Sequence, residues 1–490
     1  MKLRKETNMN RLQHATVCLS KIIIFLTTVA TISMQHGSCD AYSFVILGGT
    51  GRIGTAVASH LLNISKGKDV EIILVGRNEA KGQAAVKEVL NDNGYNGNYN
   101  LDATSSVKWK LLNDCWDLKD KTLGTLLVEA DCVIHTAGPY LGEEPVPLTT
   151  LLNIAKSSSD GDFRCKAYVD VSDPLDYLEK SICMDHVAKD TGVSALVASG
   201  AFPGMSNILA TDAAHTIIQN GNEDDDEVKD VRFNYFTAGL GGSGDVNLFI
   251  TNIGFGEAMN QYANGSLKSF RDLSGKLLGK VSFFLENDPS SIEAQRRVGT
   301  QTVFSWPFPE AATVPRNLSA KGDSHAAMGT APDLWNLMLG VLVTLIPRHW
   351  WSNAQFSQFL ADFSNPLVKL TDTCLRLTSD SVGETHAMRI DVTSTKGKVV
   401  SAIQGHESFR RCVGQSCAEF AMDLLKHPNN PGVYLPEQRY RDVEPRQRIL
   451  DRLSILPGTF CYTGPKLIQN NCQYDPKPTN LEKIMSEIQQ

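Results

Sequence analysis

Between residues 42 and 205 the chain alternates short apolar runs with amphipathic stretches. Tyr42 to Leu47 (YSFVIL), Val70 to Val75 (VEIILV), Ala130 to Ala137 (ADCVIHTA), Ala167 to Val171 (AYVDV) and Ser194 to Ala198 (SALVA) read as strands. Each is rich in β-branched or aromatic residues without polar alternation, the pattern of strands covered on both faces. The intervals suit helices, most clearly Thr55 to Leu62. Strand and helix in turn predict an α/β domain with a doubly wound parallel sheet.

From Val228 the pattern changes. Val228 to Phe236 alternates, with Val231, Phe233 and Tyr235 on one face, and Gly239 to Gly244 (GLGGSG) reads as a flexible turn. Val246 to Tyr262 reads as a helix, Ser282 to Trp306 as strands with a loop, and Ala387 to Ile403 as a hairpin. Strands and helices without strict alternation predict an α+β unit. Leu334 to Ile346, followed by Trp350 and Trp351, is the most apolar stretch after residue 41. It is short for a bilayer span, which needs about 20 apolar residues. It fits a core or homodimer-interface helix and, alternatively, peripheral membrane contact. Gly414-Gln415-Ser416 opens a helix through Leu425 that closes back on the first unit. After Tyr462 a segment rich in Pro, Asn and Lys reads as a tail.

Residues 1–41 differ from the rest. Lys2, Arg4, Lys5, Arg11 and Lys21 precede an apolar stretch from Ile22 to Met34, and small residues follow at Gly37, Ser38 and Ala41. That is the layout of a secretory signal. The 11 cysteines form no CxxC pairs and several fall in apolar runs, which argues against a disulfide framework and a zinc site. Export and thiols suited to a reducing compartment are reconciled by a plastid reached through the secretory route, with the endoplasmic reticulum as the alternative. Sequons at Asn63, Asn264 and Asn317 permit glycosylation. A net charge of -7 without a basic cluster excludes a nucleic-acid-binding surface. No metal site is expected, because the acidic run ending at Glu227 cannot turn all its carboxylates toward one ion.

The first run feeds directly into Gly48-Gly49-Thr50-Gly51-Arg52-Ile53-Gly54. Gly49, Gly51 and Gly54 stand at G-x-G-x-x-G spacing, in the strand–turn–helix setting that dinucleotide binding requires. Gly49 permits the tight turn, Gly51 lets a pyrophosphate approach the main chain, and Gly54 allows close helix–strand packing. The helix N-terminus offers N–H donors to phosphate. The second run ends in Gly76-Arg77-Asn78, with Arg77 where an NAD-preferring site carries an acid. A guanidinium pairs with a 2′-phosphate that a carboxylate would repel, so NADP (NADPH) is the expected cofactor. Ligands of such sheets lie beyond the carboxyl ends of the strands, which selects Thr136, Ala137, Gly138, Pro139, Asp170, Ser172, Asp173 and Gly200.

GGTGRIG at Gly48, VGRN at Val75, HTAGPY at His135, YVDVSD at Tyr168 and GAFPGMSN at Gly200 together resemble the saccharopine dehydrogenase-like NADP-binding oxidoreductase family, in its uncharacterised branch. HAMRIDV at His386, ESFRRCVGQS at Glu407 and PGVYLPE at Pro431 extend the likeness over about residues 42–440. The resemblance implies a Rossmann domain with an inserted α+β substrate and dimerisation domain. The expected division is leader 1–41, Rossmann domain 42–205, substrate domain 206–405, return segment 406–462 and tail 463–490. Characterised relatives use NAD(P)H to interconvert a secondary amine with an amine plus a carbonyl compound. The implied activity here is hydride transfer to or from a small C–N or C=O substrate, with Gly200, Ala201, Phe202, Pro203 and Gly204 lining the site.

A proton relay needs a titratable group beside the nicotinamide. Tyr140, Asp170 and Asp173 are the candidates, while His135, inside an apolar run, reads as a core histidine. No Tyr-x-x-x-Lys pair follows Tyr140 or Tyr168, which weakens a short-chain reductase reading. The missing pair keeps open a catalytically silent NADP-binding sensor or scaffold.

Overall fold

A computed structural model of the chain describes residues 42–468 apart from 66–69, 93–105, 119, 129, 159–162, 220–225, 239–244 and 377–383. The leader, the glycine-rich turn from Gly239 and the end of the tail lie outside the described residues, as does most of the acidic run.

The first lobe alternates strand and helix along β1 (Tyr42–Leu47), α1 (Arg52–Ser65), β2 (Val70–Gly76), α2 (Glu79–Leu90), β3 (Ser106–Leu111), α3 (Lys121–Val128), β4 (Cys132–His135), α4 (Val146–Ser157), β5 (Ala167–Asp170), α5 (Leu175–Ile182), α6 (Asp185–Thr191), β6 (Ser194–Leu196) and α7 (Met205–Gln219). Phe44 to Leu47 have no solvent exposure, which explains the unbroken apolar run of β1. All neighbouring strands pair in parallel, in the order β3-β2-β1-β4-β5-β6, and a strand from the C-terminal part of the chain extends the far edge. This is the Rossmann order, with its switch point between β1 and β4. The expectations contained no strand at β3 (SVKWKL). Its two lysines belong to a sheet edge, where Lys108 pairs with Glu71 of β2 at 2.7 Å.

The second lobe contains β7 (Val228–Ala238), α8 (Asp245–Gly254), β8 (Met259–Ala263), β9 (Ser266–Phe270), β10 (Leu277–Ser282), α9 (Ile292–Arg297), β11 (Thr300–Ser305), α10 (Glu310–Leu318), β12 (Ser324–Ala331), α11 (Asp333–Leu345), α12 (Arg348–Trp351), α13 (Ala354–Arg376), β13 (His386–Ser394) and β14 (Val399–His406). The helix expected over Val246–Tyr262 ends at Gly254, and Met259–Ala263 is a strand paired with β9. Asn264 and Gly265 make the turn, both at positive φ (53° and 71°), an Asn-Gly hairpin signal that outweighs the helical pattern. The loop expected within Ser282–Trp306 contains a 3₁₀ turn and α9.

The chain then crosses back to the first sheet. α14 (Phe409–Lys426) starts earlier than the expected Gly414, because the Ser408 hydroxyl accepts from the Arg411 N–H and caps the helix at that point. Gly414 is a helix–helix contact instead: a Cβ there would meet Ala56 Cβ at 2.7 Å and Val57 N at 2.9 Å on α1. His60 and Glu419 pair across the same buried interface at 2.9 Å. β15 (Gly432–Tyr434) is the added edge strand beside β6; α15 (Pro436–Arg439) and α16 (Val443–Leu453) follow. β16 (Thr459–Ile468) then returns to the second sheet beside β14, running past the residue at which a tail is expected to start. That sheet has the order β10-β11-β12-β7-β13-β14-β16, antiparallel except between β12 and β7. One apolar core joins the lobes through α7, whose Ile208, Leu209 and Ala213 share a cluster with Phe233, Met388 and Ala402.

α11 buries Val343 but exposes Leu337, Met338, Val341 and Leu345, and α13 exposes Phe359 and Phe363. Of the two tryptophans, Trp351 is buried and Trp350 half exposed. Among the described residues no helix is long and apolar enough to cross a membrane.

Candidate functional site

The glycine turn sits where β1 hands over to α1. Gly49 N donates to Ile46 O at 3.0 Å and Gly51 N to Gly48 O at 2.8 Å, and Thr55 N makes the first intrahelical bond, to Gly51 O. The Ile53 and Gly54 N–H groups belong to the helix end whose donors lack intrahelical partners. A side chain at Gly54 would drive its Cβ to 2.5 Å from Gly48 O and from Gly49 Cα. At Gly51 an added Cβ would meet Gly48 O alone, at 3.1 Å, and this exposed position is open in front. That is the fit a pyrophosphate requires: main chain close, no side chain between.

The other wall of the turn is the end of β4. Thr136 donates to Leu47 O through its N–H (2.8 Å) and its hydroxyl (2.9 Å). Gly48, at φ 75°, has no room for a Cβ, which would stand 2.6 Å from Ala137 N. Arg77 is exposed just past β2 and makes no ion pair among the described residues. Asn78 has a structural task, since its side-chain oxygen accepts from Lys81 N at 3.0 Å and caps α2.

A cleft of about 340 Å³ opens between the lobes beside this turn. It collects Gly51, Arg52, Ile53, Thr136, Gly138 and Pro139 from the expected cofactor residues, and Gly200, Ala201, Phe202 and Pro203 from the expected substrate loop. Tyr140 and Asp173 also line it. Gly48, Gly49, Thr50, Gly54, Arg77, Asn78, Ala137, Asp170 and Gly204 do not line this part, and the first four are the turn behind it.

The Gly200–Gly204 loop is held by its own main chain. Gly200 N donates to Pro203 O at 2.9 Å, Gly204 N donates to Asn207 Oδ1 at 2.9 Å, and Gly204 lies at φ 133°. Phe202 stacks on Tyr235 (4.2 Å) and on Phe409 (4.7 Å), which joins the loop to β7 and α14. Behind it, Glu310 accepts from Tyr235 Oη at 2.7 Å and from Ser206 Oγ at 3.2 Å, and Glu437 accepts from Asn207 Nδ2 at 2.8 Å. Burial pushes Glu310 up to about 7 and also raises Glu437.

The proton-relay candidates separate. Tyr140 donates its hydroxyl to His135 O at 2.6 Å, and its ring packs against Trp116, His135 and Tyr177, so its phenol is committed to the fold. His135 is fully buried in that aromatic group, and burial takes it down to about 3. Asp170 accepts from the Ser172 and Ala198 main-chain N–H groups (both 3.1 Å) and from the Tyr168 hydroxyl (3.2 Å). It fastens the loops after β5 and β6, although burial raises it to about 6 against those bonds. Asp173 is different. It is half-buried on the cleft, and burial pushes it up to about 6 against its own main-chain N–H, with the Asp170 charge adding to the rise.

The second lobe supplies the residues that sequence reasoning missed: Thr237, Ile250, Thr251, Trp306, Phe308 and Met328, with Phe409 and Val413 from α14. Nothing in their spacing marks them, because they come from five elements and loops that only the fold brings together. The described cysteines are free thiols, and no group of His, Cys, Asp and Glu among the described residues could hold a metal ion.

No family model matches the chain, and no curated protein matches it in sequence. Solved structures do match. Apo saccharopine dehydrogenase (L-Glu forming) from Saccharomyces cerevisiae aligns with a TM-score of 0.53 at 13% identity, covering 87% of this chain and 100% of that one. An oxidoreductase from Sinorhizobium meliloti aligns at 10% identity over 84% of this chain and 95% of its own, with a TM-score of 0.34. Triphenylmethane reductase from Citrobacter sp., complexed with NADP(H), aligns at 13% identity over 43% and 64%, with a TM-score of 0.22. The first of these shows that the chain has a saccharopine dehydrogenase-like fold.

Proposed function

We propose that the protein is an NADP-dependent oxidoreductase that moves a hydride between the nicotinamide and a small C–N or C=O substrate. The observation that carries the reading is the continuity of one cleft, from the glycine turn at the β1–β4 switch point to a wall supplied by the second lobe. NADPH supplies the hydride chemistry when bound. The turn Gly48–Gly54 would hold its pyrophosphate, and Arg77 the 2′-phosphate. The Gly200–Gly204 loop and Phe202 orient what lies beyond and exclude water. Asp173 stands on the cleft as the group able to hold or release a proton there.

Calorimetric titration with NADPH and NADH tests the reading. NADPH is expected to bind more tightly, and Arg77→Glu to abolish that preference. Equal weak binding, or none, overturns it. The commitment of Tyr140 and Asp170 to structural bonds favours a second reading, an NADP-binding scaffold without turnover. Stereospecific loss of a labelled hydride from NADPH to any acceptor excludes that alternative.

A further inference from the structure

The cleft has an unusual balance of charge. Its second-lobe wall consists of Thr237, Ile250, Thr251, Trp306, Phe308 and Met328. Among the described lining residues the only charged side chains are Arg52, on the glycine turn beside the expected pyrophosphate, and Asp173. His386, behind Phe202 and Phe409, supplies no cation, because burial beside His406 holds it neutral. An adjoining cavity of about 270 Å³ shares Pro139, Tyr140, Asp173, Ile250, Trp306 and Phe308 with the cleft, and adds Asp176 and Glu257. No ion pair to a cation is present at Asp173 or Glu257 among the described residues, and burial, with the charges of Asp173 and Asp176, lifts Glu257 to about 7.

Beyond Arg52, which stands beside the expected pyrophosphate, a substrate carboxylate would therefore lose its hydration without finding a guanidinium or ammonium among the described lining residues of the cleft. Desolvating an unpaired anion is among the most unfavourable steps in binding. An ammonium would find one carboxyl in the cleft itself, Asp173, which carries its proton in the reactive form, so the pocket gives it little in return for its hydration. Aromatic and aliphatic surface favours a flat apolar body, with Thr237 and Thr251 as the polar side chains of the wall.

Resting on the NADP-dependent reading above, we propose that the substrate is an uncharged, predominantly apolar carbonyl compound, and that the cleft selects against carboxylated and amino-bearing molecules of the same size. In the reductive direction the hydride forms a C–H bond at the carbonyl carbon while the C=O π pair moves to oxygen. That oxygen takes the proton of the Asp173 carboxyl, which solvent replaces. The carbonyl is reduced to an alcohol and NADPH is oxidised to NADP⁺.

The test uses the full chain loaded with NADPH and three probes of matched size: acetophenone, benzoylformate and phenethylamine. Binding is read from nicotinamide and tryptophan fluorescence, and turnover of the two carbonyl probes from NADPH consumption. Acetophenone is expected to bind about tenfold or more tightly than either charged probe. Met328→Lys and, independently, Ile250→Lys, both at half-buried wall positions, are expected to shift the preference toward benzoylformate. Acetophenone binding no more tightly than a charged probe, or not binding at all, to a protein that still takes up NADPH overturns this inference alone. Failure to take up NADPH overturns the NADP-dependent reading first.

Discussion

Glu310 offers a sharp test of how the two lobes are held together, because its titration links a buried network to a measurable slope. Its side chain is fully buried behind Phe202, bonded by Tyr235 and Ser206, and burial takes it from the ordinary 4.5 to about 7. The folded state therefore binds more protons here than the unfolded chain between those two values. Stability contributed at this site is full below the unfolded value, falls as pH rises through the window, and levels off above about 7. At about 1.36 kcal/mol per pH unit, the cost near pH 8 is on the order of 3 kcal/mol. Glu310→Gln keeps an acceptor for Tyr235 and removes the titration, but places an amide where one carboxylate oxygen, Oε2, has no partner. That unpaired donor costs about 1 kcal/mol at every pH. The variant should thus be less stable than the parent by about 1 kcal/mol near pH 5 and more stable by about 2 kcal/mol near pH 8. Urea denaturation at half-unit pH steps, on both proteins, measures the difference. A constant offset between the two curves across that range would refute the reasoning.

Other expectations concern the site and the surface. Gly54→Ala forces its methyl against Gly48 and Gly49 main chain, so it should lose NADPH affinity by about tenfold or more while costing about 1–3 kcal/mol in stability, read by calorimetry and thermal melts. Asp170→Asn removes acceptor capacity from the loops after β5 and β6 and should destabilise by about 1–3 kcal/mol; unchanged stability with lost turnover would make Asp170 catalytic instead. If Asp173 donates the proton, the reductive rate should fall as pH rises through about 6, and Asp173→Asn should flatten that profile. Phe359→Ser with Phe363→Ser removes exposed apolar surface from α13, and should weaken self-association in sedimentation or retention by lipid vesicles, whichever the parent shows.

The first lobe was legible because its strands are buried on both faces, so apolar runs announce them, and because the glycine turn has steric demands that few residues meet. The Gly49, Gly51 and Gly54 spacing located the turn, and the rule about strand ends located Thr136, Pro139 and Asp173. The same rule could not distinguish Asp173 from Asp170. Asp170 ends β5 and Asp173 follows it, and only the hydrogen bonds from Ser172 and Ala198 show that Asp170 is committed to the loops. In the second lobe, Val246 to Tyr262 has an apolar spacing that suits a helix, but the helix stops at Gly254 and the Asn264-Gly265 turn draws Met259–Ala263 into a hairpin. Trp306 and Phe308, placed by the end of β11, have no neighbours in sequence from the rest of the cleft, so tertiary contact alone brings them there.

The polypeptide passes between the two sheets three times: after α7, between β14 and α14, and between α16 and β16. Cutting any single passage leaves both halves tethered by the other two, so a protease nick there should release no free fragment without denaturant. Neither half can be expressed as one uninterrupted stretch of gene, since each sheet draws a strand from beyond the other. Separating the lobes would strain all three tethers at once, so ligands are expected to enter and leave by local movement at the rim.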